Sequence, residues 1–173
     1  LTVFETYTKG RPKAYPKALA SLIPQVRDQY ESSWEKVAKQ EQATWPIVFY
    51  KMMKLEKKFV EAGGKLMAGT DPTGFGGVIA GFSNQRAVEL LVEAGFSIEQ
   101  AIEISTLNAA KYLQRENLIG SIEVGKRADL VLIDGDLSKA PSAIRDMSIV
   151  FKGGIGYNTE KILATTKSVV GLH

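Results

Sequence analysis

The sequence contains no cysteine. That excludes a disulfide framework, a cysteine nucleophile and any thiolate metal site, and it leaves reducing and oxidising compartments equally open. Histidine is nearly as scarce: the single one, His173, is the last residue, where chains tend to fray. A zinc or two-metal centre draws on several imidazoles and carboxylates, so these residues are not expected to hold one unaided. No apolar run is long enough to cross a bilayer, and no basic-then-apolar secretion signal opens the chain. Leu1 stands where an initiator Met would, which predicts a processed or partial chain. A cytoplasmic location, or a secreted or periplasmic one after loss of an upstream signal, both remain open. Net charge is only +3, gathered in residues 1–64, with eleven basic against seven acidic side chains. The lysines of "KMMKLEKKF" follow helical spacing around an apolar face, as on a solvated surface, so neither a nucleic-acid nor a membrane partner is expected.

What is present reads as an α/β pattern. The 173 residues suffice for one domain, or one domain and a small second piece. "LTVFETY" alternates and is rich in β-branched and aromatic residues, which predicts a strand. Val26, Tyr30, Trp34 and Val37 line one face of a helix, and a second helix starts near "TWP" and ends at "EAGG", where Gly63 or Gly64 can adopt the left-handed cap. "KLMAG" predicts a short strand. "SNQRAVELLVEAG" follows as a helix capped by Ser83 or Asn84, and "SIEQAIEISTLNAAKYLQ" as another, with Ser97 and Gln100 at capping-box spacing. After Gln114 the pattern turns to β: two strands around the Val-Gly-Lys turn of "IGSIEVGKRADLVLID", and a pair around Lys-Gly-Gly in "MSIVFKGGIGYN". Asn158 predicts the cap of a terminal helix.

Chemistry concentrates in "KLMAGTDPTGFGG". The glycines invite a phosphate-loop reading, but the Lys-Ser/Thr pair that would hold terminal phosphates and Mg²⁺ is missing. Asp71 has a more specific account. A carboxylate carried by an apolar strand to the C-terminal mouth of a barrel can ligate a metal and accept a proton from water. Pro72 would stop pairing at the acid, and the glycines would let the loop approach a substrate. The alternative is that Asp71 only begins a turn or caps backbone amides. Thr73, Phe75 and Phe82 lie in the same loop as candidate substrate contacts, or as packing.

The order of acid-ended strand, "ELLVEAG" helix, "AIEISTLNAA" helix, "GSIEVGKRADLVLID" and "VFKGG" resembles the C-terminal part of metal-dependent amidohydrolases, in the branch with imidazolonepropionase-like and prolidase-like enzymes. The resemblance is strong over 65 to about 154 and weak before. It implies the C-terminal fragment of a (β/α)8 TIM-type barrel over 1–114, with Asp71 closing the last strand and "LTVFE" the strand before. Residues 115–173 would be return strands of a small β-sandwich and a C-terminal helix. It further implies hydrolysis of carbon–nitrogen bonds in a small-molecule amide, cyclic amide or dipeptide by metal-activated water. Asp71 would be a ligand to a divalent metal, commonly zinc, held by the intact enzyme and not by this chain alone, and the general base toward the hydrolytic water. The His-x-His pair, bridging lysine and further histidines of that family find no counterpart, so only Asp71 is transferred. The chain alone is expected to be inactive and to associate with its missing N-terminal half or with itself. A non-catalytic interaction module and an unrelated small α/β domain are the rival readings.

Overall fold

The computed structural model describes residues 1–8, 14–40, 44–72 and 78–171. Proline sets the entry to two of the first helices: α2 (Pro16–Ser21) and α3 (Pro24–Lys39) each begin on one, at the position where a missing N–H costs nothing. In α3 the expected apolar face is present, with the Tyr30 side chain fully buried. Its hydroxyl accepts from the Ala14 amide at 2.8 Å. Tyr30, Ala18, Leu22 and Ile79 form one core cluster, joined by Tyr15, Trp34, Phe82 and Val170. The long helix α4 (Thr44–Glu61) ends as the sequence predicts, with Gly63 left-handed at φ 89° and the Gly64 amide reaching back to the Phe59 carbonyl at 2.8 Å.

The second core is built by α5 (Ser83–Glu93) and α6 (Ile98–Ser105), which bury Val88, Leu91, Phe96, Ala101 and Ile104. Ser97 and Gln100 make both bonds of the capping box. Two details differ from expectation. Phe82 occupies the N-cap of α5, while the Ser83 hydroxyl accepts from the Ile79 amide at 2.7 Å and so closes the preceding turn. The helix expected to run to Gln114 breaks at Thr106 (φ −133°, ψ −79°), and α7 (Leu107–Tyr112) sets off from there.

The β part is an antiparallel sheet in the order β1 (Leu130–Ile133), β2 (Met147–Lys152), β3 (Ile155–Asn158). The Lys-Gly-Gly turn joins β2 to β3 as predicted. The partner of β1 is a correction. Residues 119–124 form turns rather than a strand, and β1 pairs with β2 through Leu130↔Phe151 and Val131↔Val150. A run that short, closed by Gly120 and Gly125 and tied by Lys126 to Ser121 and Glu123, satisfies its polar groups locally and leaves Ile122 and Val124 exposed. A 3-10 helix (Pro141–Arg145) leads into β2, and α8 (Thr159–Thr165) follows β3, capped by the Asn158 side chain, which accepts from Lys161 N at 3.0 Å.

Two further predicted strands are corrected. "LTVFE" forms the helical turn α1 (Thr2–Glu5), and "KLMAG" carries no ladder. Strand propensity is realised only against a partner strand, and among the described residues no strand lies beside either segment. In α1, the buried Glu5 is anchored instead to Arg86.

Candidate functional site

Residues 64–72 run extended without regular structure, yet their exposure alternates as in a strand with one covered face: Leu66, Ala68 and Thr70 are half-buried, and Lys65, Met67, Gly69 and Asp71 are exposed. Leu66 and Ala68 pack on the α5–α6 core. Two hydrogen bonds hold the segment: Ala68 N donates to the Ile104 carbonyl at 3.2 Å, and Asn108 Nδ2 to the Leu66 carbonyl at 3.0 Å. At its end Asp71 takes a left-handed backbone, φ 43°, immediately before Pro72. Aspartate tolerates that conformation better than most residues, and it turns the chain sharply at the acid.

Thr73 and Phe75 lie outside the described residues. The Phe82 ring meets Tyr15 edge to face, centroids 6.0 Å apart, and lines a cavity of about 700 Å³ whose described lining does not include Asp71. A separate, small cavity of about 50 Å³ lies against Leu66–Gly69, with Leu1, Thr2 and Glu56 among its walls. Burial pushes the Glu56 carboxyl above its ordinary range.

Among the described residues no three His, Asp or Glu side chains converge. A closed zinc site takes four donors and a catalytic one three plus water, so Asp71 by itself does not fit the whole group. No reaction step is derived through a metal on these residues.

A charged network missed by the sequence reading supports this region. Arg86 on α5 donates to Glu5 at 2.5 Å, to Glu89 at 2.9 Å and to Glu93 at 2.6 Å. Burial opposes its charge, and the hydrogen bonds to Glu5 and Glu93 outweigh that, so the guanidinium pKa is raised. Glu89, 6% exposed, is also gripped by Arg145 of the 3-10 helix, through Nε and Nη2, both at 2.6 Å. The network therefore joins α1, α5 and the approach to the sheet. Arg86, Glu89 and Glu93 share a helix face, a signal legible in sequence, whereas Glu5 and Arg145 are 81 and 56 residues from their partners and give none.

The ordering of these elements, an acid-ended extended segment followed by two packed helices and the small sheet, coincides with a known family. Residues 51–164, 114 of the 173, match the amidohydrolase family. The chain belongs to the amidohydrolase family. A 5'-deoxyadenosine deaminase of Methanobrevibacter smithii is 35% identical over 81 residues, which are 46% of this chain and 19% of that protein. An imidazolonepropionase of Bacteroides fragilis is 52% identical over 40 residues, 23% of this chain and 10% of that protein. Among solved structures, a Xaa-Pro dipeptidase with bound methionine in its active site aligns at TM-score 0.56 and 27% identity, over 83% of this chain and 34% of that one. A bottromycin amidohydrolase aligns at TM-score 0.67 over 95% of this chain and 39% of that one; at 16% identity it speaks to the fold alone. The chain thus spans little more than a third of the solved relatives, and the matched segments no more than a fifth of the named ones.

Proposed function

We propose that these residues form part of a hydrolase of carbon–nitrogen bonds, acting on a small-molecule amide, cyclic amide or dipeptide. The observation that carries this reading is that the family match runs continuously from α4 through the Asp71 segment to α8. The names of the relatives, a deaminase, an imidazolonepropionase and a dipeptidase, have carbon–nitrogen chemistry in common. In this reading 64–71, which carries no ladder here, takes the place of the last strand of a (β/α)8-type barrel spanning 1–114 once neighbouring strands are present, and 115–173 belong to an adjoining β-sandwich. Asp71 is one donor, and the proton acceptor, at a divalent-metal centre, zinc being the common occupant, whose other donors lie beyond these residues. Thr73 and Phe75 follow Asp71 in the loop that would face substrate.

The test is metal content and hydrolysis of amide and dipeptide substrates by the full-length polypeptide containing these residues, with and without Asp71→Asn. The expected result is loss of metal and a drop in kcat of at least about a hundredfold, the scale of one positioned acid–base group. Equal metal and equal activity in both would remove Asp71 from the mechanism. The 173 residues alone are expected to be inactive and to associate, with a companion segment or with themselves, because an extended segment with unpaired amides seeks a partner strand. A sharply monodisperse monomer in sedimentation at micromolar concentration would contradict this.

A further inference from the structure

The 700 Å³ cavity noted beside Phe82 falls within the usual size of small-molecule sites, and its walls carry an unbalanced chemistry. It opens between the segment before α2, the start of α5, the sheet and α8. Tyr15 and Phe82 supply aromatic surface. Its charged groups lean acidic, with Asp134, Asp146 and Glu160 among the lining residues. Asp134 accepts a long bond from the Ser148 hydroxyl, at 3.3 Å, and no other side-chain bond among the described residues. Asp146 and Glu160 line the cavity without an ion pair among the described residues. Of the two cations on the wall, Arg145 is already matched by Glu89, which leaves Lys17 against three carboxylates. The Arg145 guanidinium lies 5.4 Å from the Tyr15 ring centre, so the aromatic wall already holds one cation.

We propose that this cavity binds a small organic cation, an ammonium group on an aromatic or alkyl body. The ammonium supplies N–H donors to Asp146 and Glu160, and the body lies against Tyr15 and Phe82. An anion of the same shape would meet three carboxylates. The site is independent of the hydrolase reading, because Asp71 is not among the described lining residues.

The experiment is calorimetric titration of the full-length polypeptide containing these residues with 2-phenylethylammonium, 3-phenylpropanoate and the neutral 3-phenylpropanol. The amine should bind saturably and at least tenfold more tightly than either analogue. Asp146→Asn combined with Glu160→Gln should weaken it about tenfold or more, the scale of one hydrogen bond to a charged group. Raising salt from about 0.02 M to 0.3 M should also weaken amine binding to the unmodified protein, since screening acts on the exposed carboxylates. This second measurement decides the matter even if the double variant folds poorly. Absence of amine binding up to about 10 mM (Kd in that range being a gain of only a few kcal/mol), equal binding of the carboxylate, or binding indifferent to salt would each overturn the proposal.

Discussion

Replacing Arg145 with Met should cost the fold about 3 kcal/mol, and the figure follows from what Glu89 would lose. Its carboxylate is 8% exposed and takes two hydrogen bonds from Arg145 at 2.6 Å and one from Arg86 at 2.9 Å. Breaking a buried pair by removing one partner typically costs about 3–5 kcal/mol, because the remaining charge stays desolvated. Arg86 continues to neutralise Glu89, and the Arg145 side chain is 23% exposed, so the lower end applies. With a urea m-value of about 2 kcal/mol/M, the unfolding midpoint should fall by roughly 1.5 M. Adding Glu89→Leu to Arg145→Met should cost much less than the sum of the two single losses. The coupling in that cycle is expected at about 2 kcal/mol, within the range for directly bonded residues. A coupling below about 0.5 kcal/mol would refute the view that this pair binds the sheet to α5, since distant sites already differ by that much.

Three further outcomes can be checked by the same unfolding assay. Burial raises the Glu56 pKa in the folded chain, so the folded state holds the proton more tightly and stability falls as pH rises above the ordinary carboxylate value. Glu56→Gln should therefore flatten stability between about pH 4 and neutrality and stabilise the protein at pH 7, with no difference at lower pH; parallel curves would disprove it. Ser97→Ala removes the acceptor for Gln100 N at 3.2 Å and should cost about 1 kcal/mol, with hydrogen exchange accelerating first in α6. Gly120→Ala should cost at least about 2 kcal/mol. At φ 96° the new Cβ would sit 2.6 Å from Ala110 Cβ and 3.1 Å from the Leu107 backbone, and wild-type stability would refute that geometry.

Helices were legible where the apolar period was long or the caps explicit: α3, α4, the Ser97–Gln100 box and the Asn158 cap all follow from local spacing. The Lys-Gly-Gly hairpin was legible for the same reason, since a tight turn fixes its own register. Strands that depend on distant partners were not. "LTVFE" and "KLMAG" have strand composition, but propensity of that kind expresses packing against a neighbour rather than a preference of the backbone. In β1, "ADLVLID" was identified correctly and its partner was not, because pairing with β2 rather than with residues 119–124 is set by turn chemistry near Gly120 and Ser121. At the candidate site, Asp71 was singled out from its flanking residues alone, while the network around Arg86 needs contacts 81 residues apart. Phe82 was singled out from its place in the loop, and its fixed position beside Tyr15 became visible only in three dimensions.

The break at Thr106 has a consequence for how this chain could accept neighbours. By bending the rod there, it brings a carbonyl acceptor from one helix and an amide donor from the next to Ala68 and Leu66. Those two residues present their main-chain groups on one edge of an extended segment, so a bent helix pair occupies the place of a flanking ladder. A first incoming strand on the opposite edge would leave those two bonds intact. A second must trade against the bonds to Ile104 and Asn108, which makes the two sides fill in a set order.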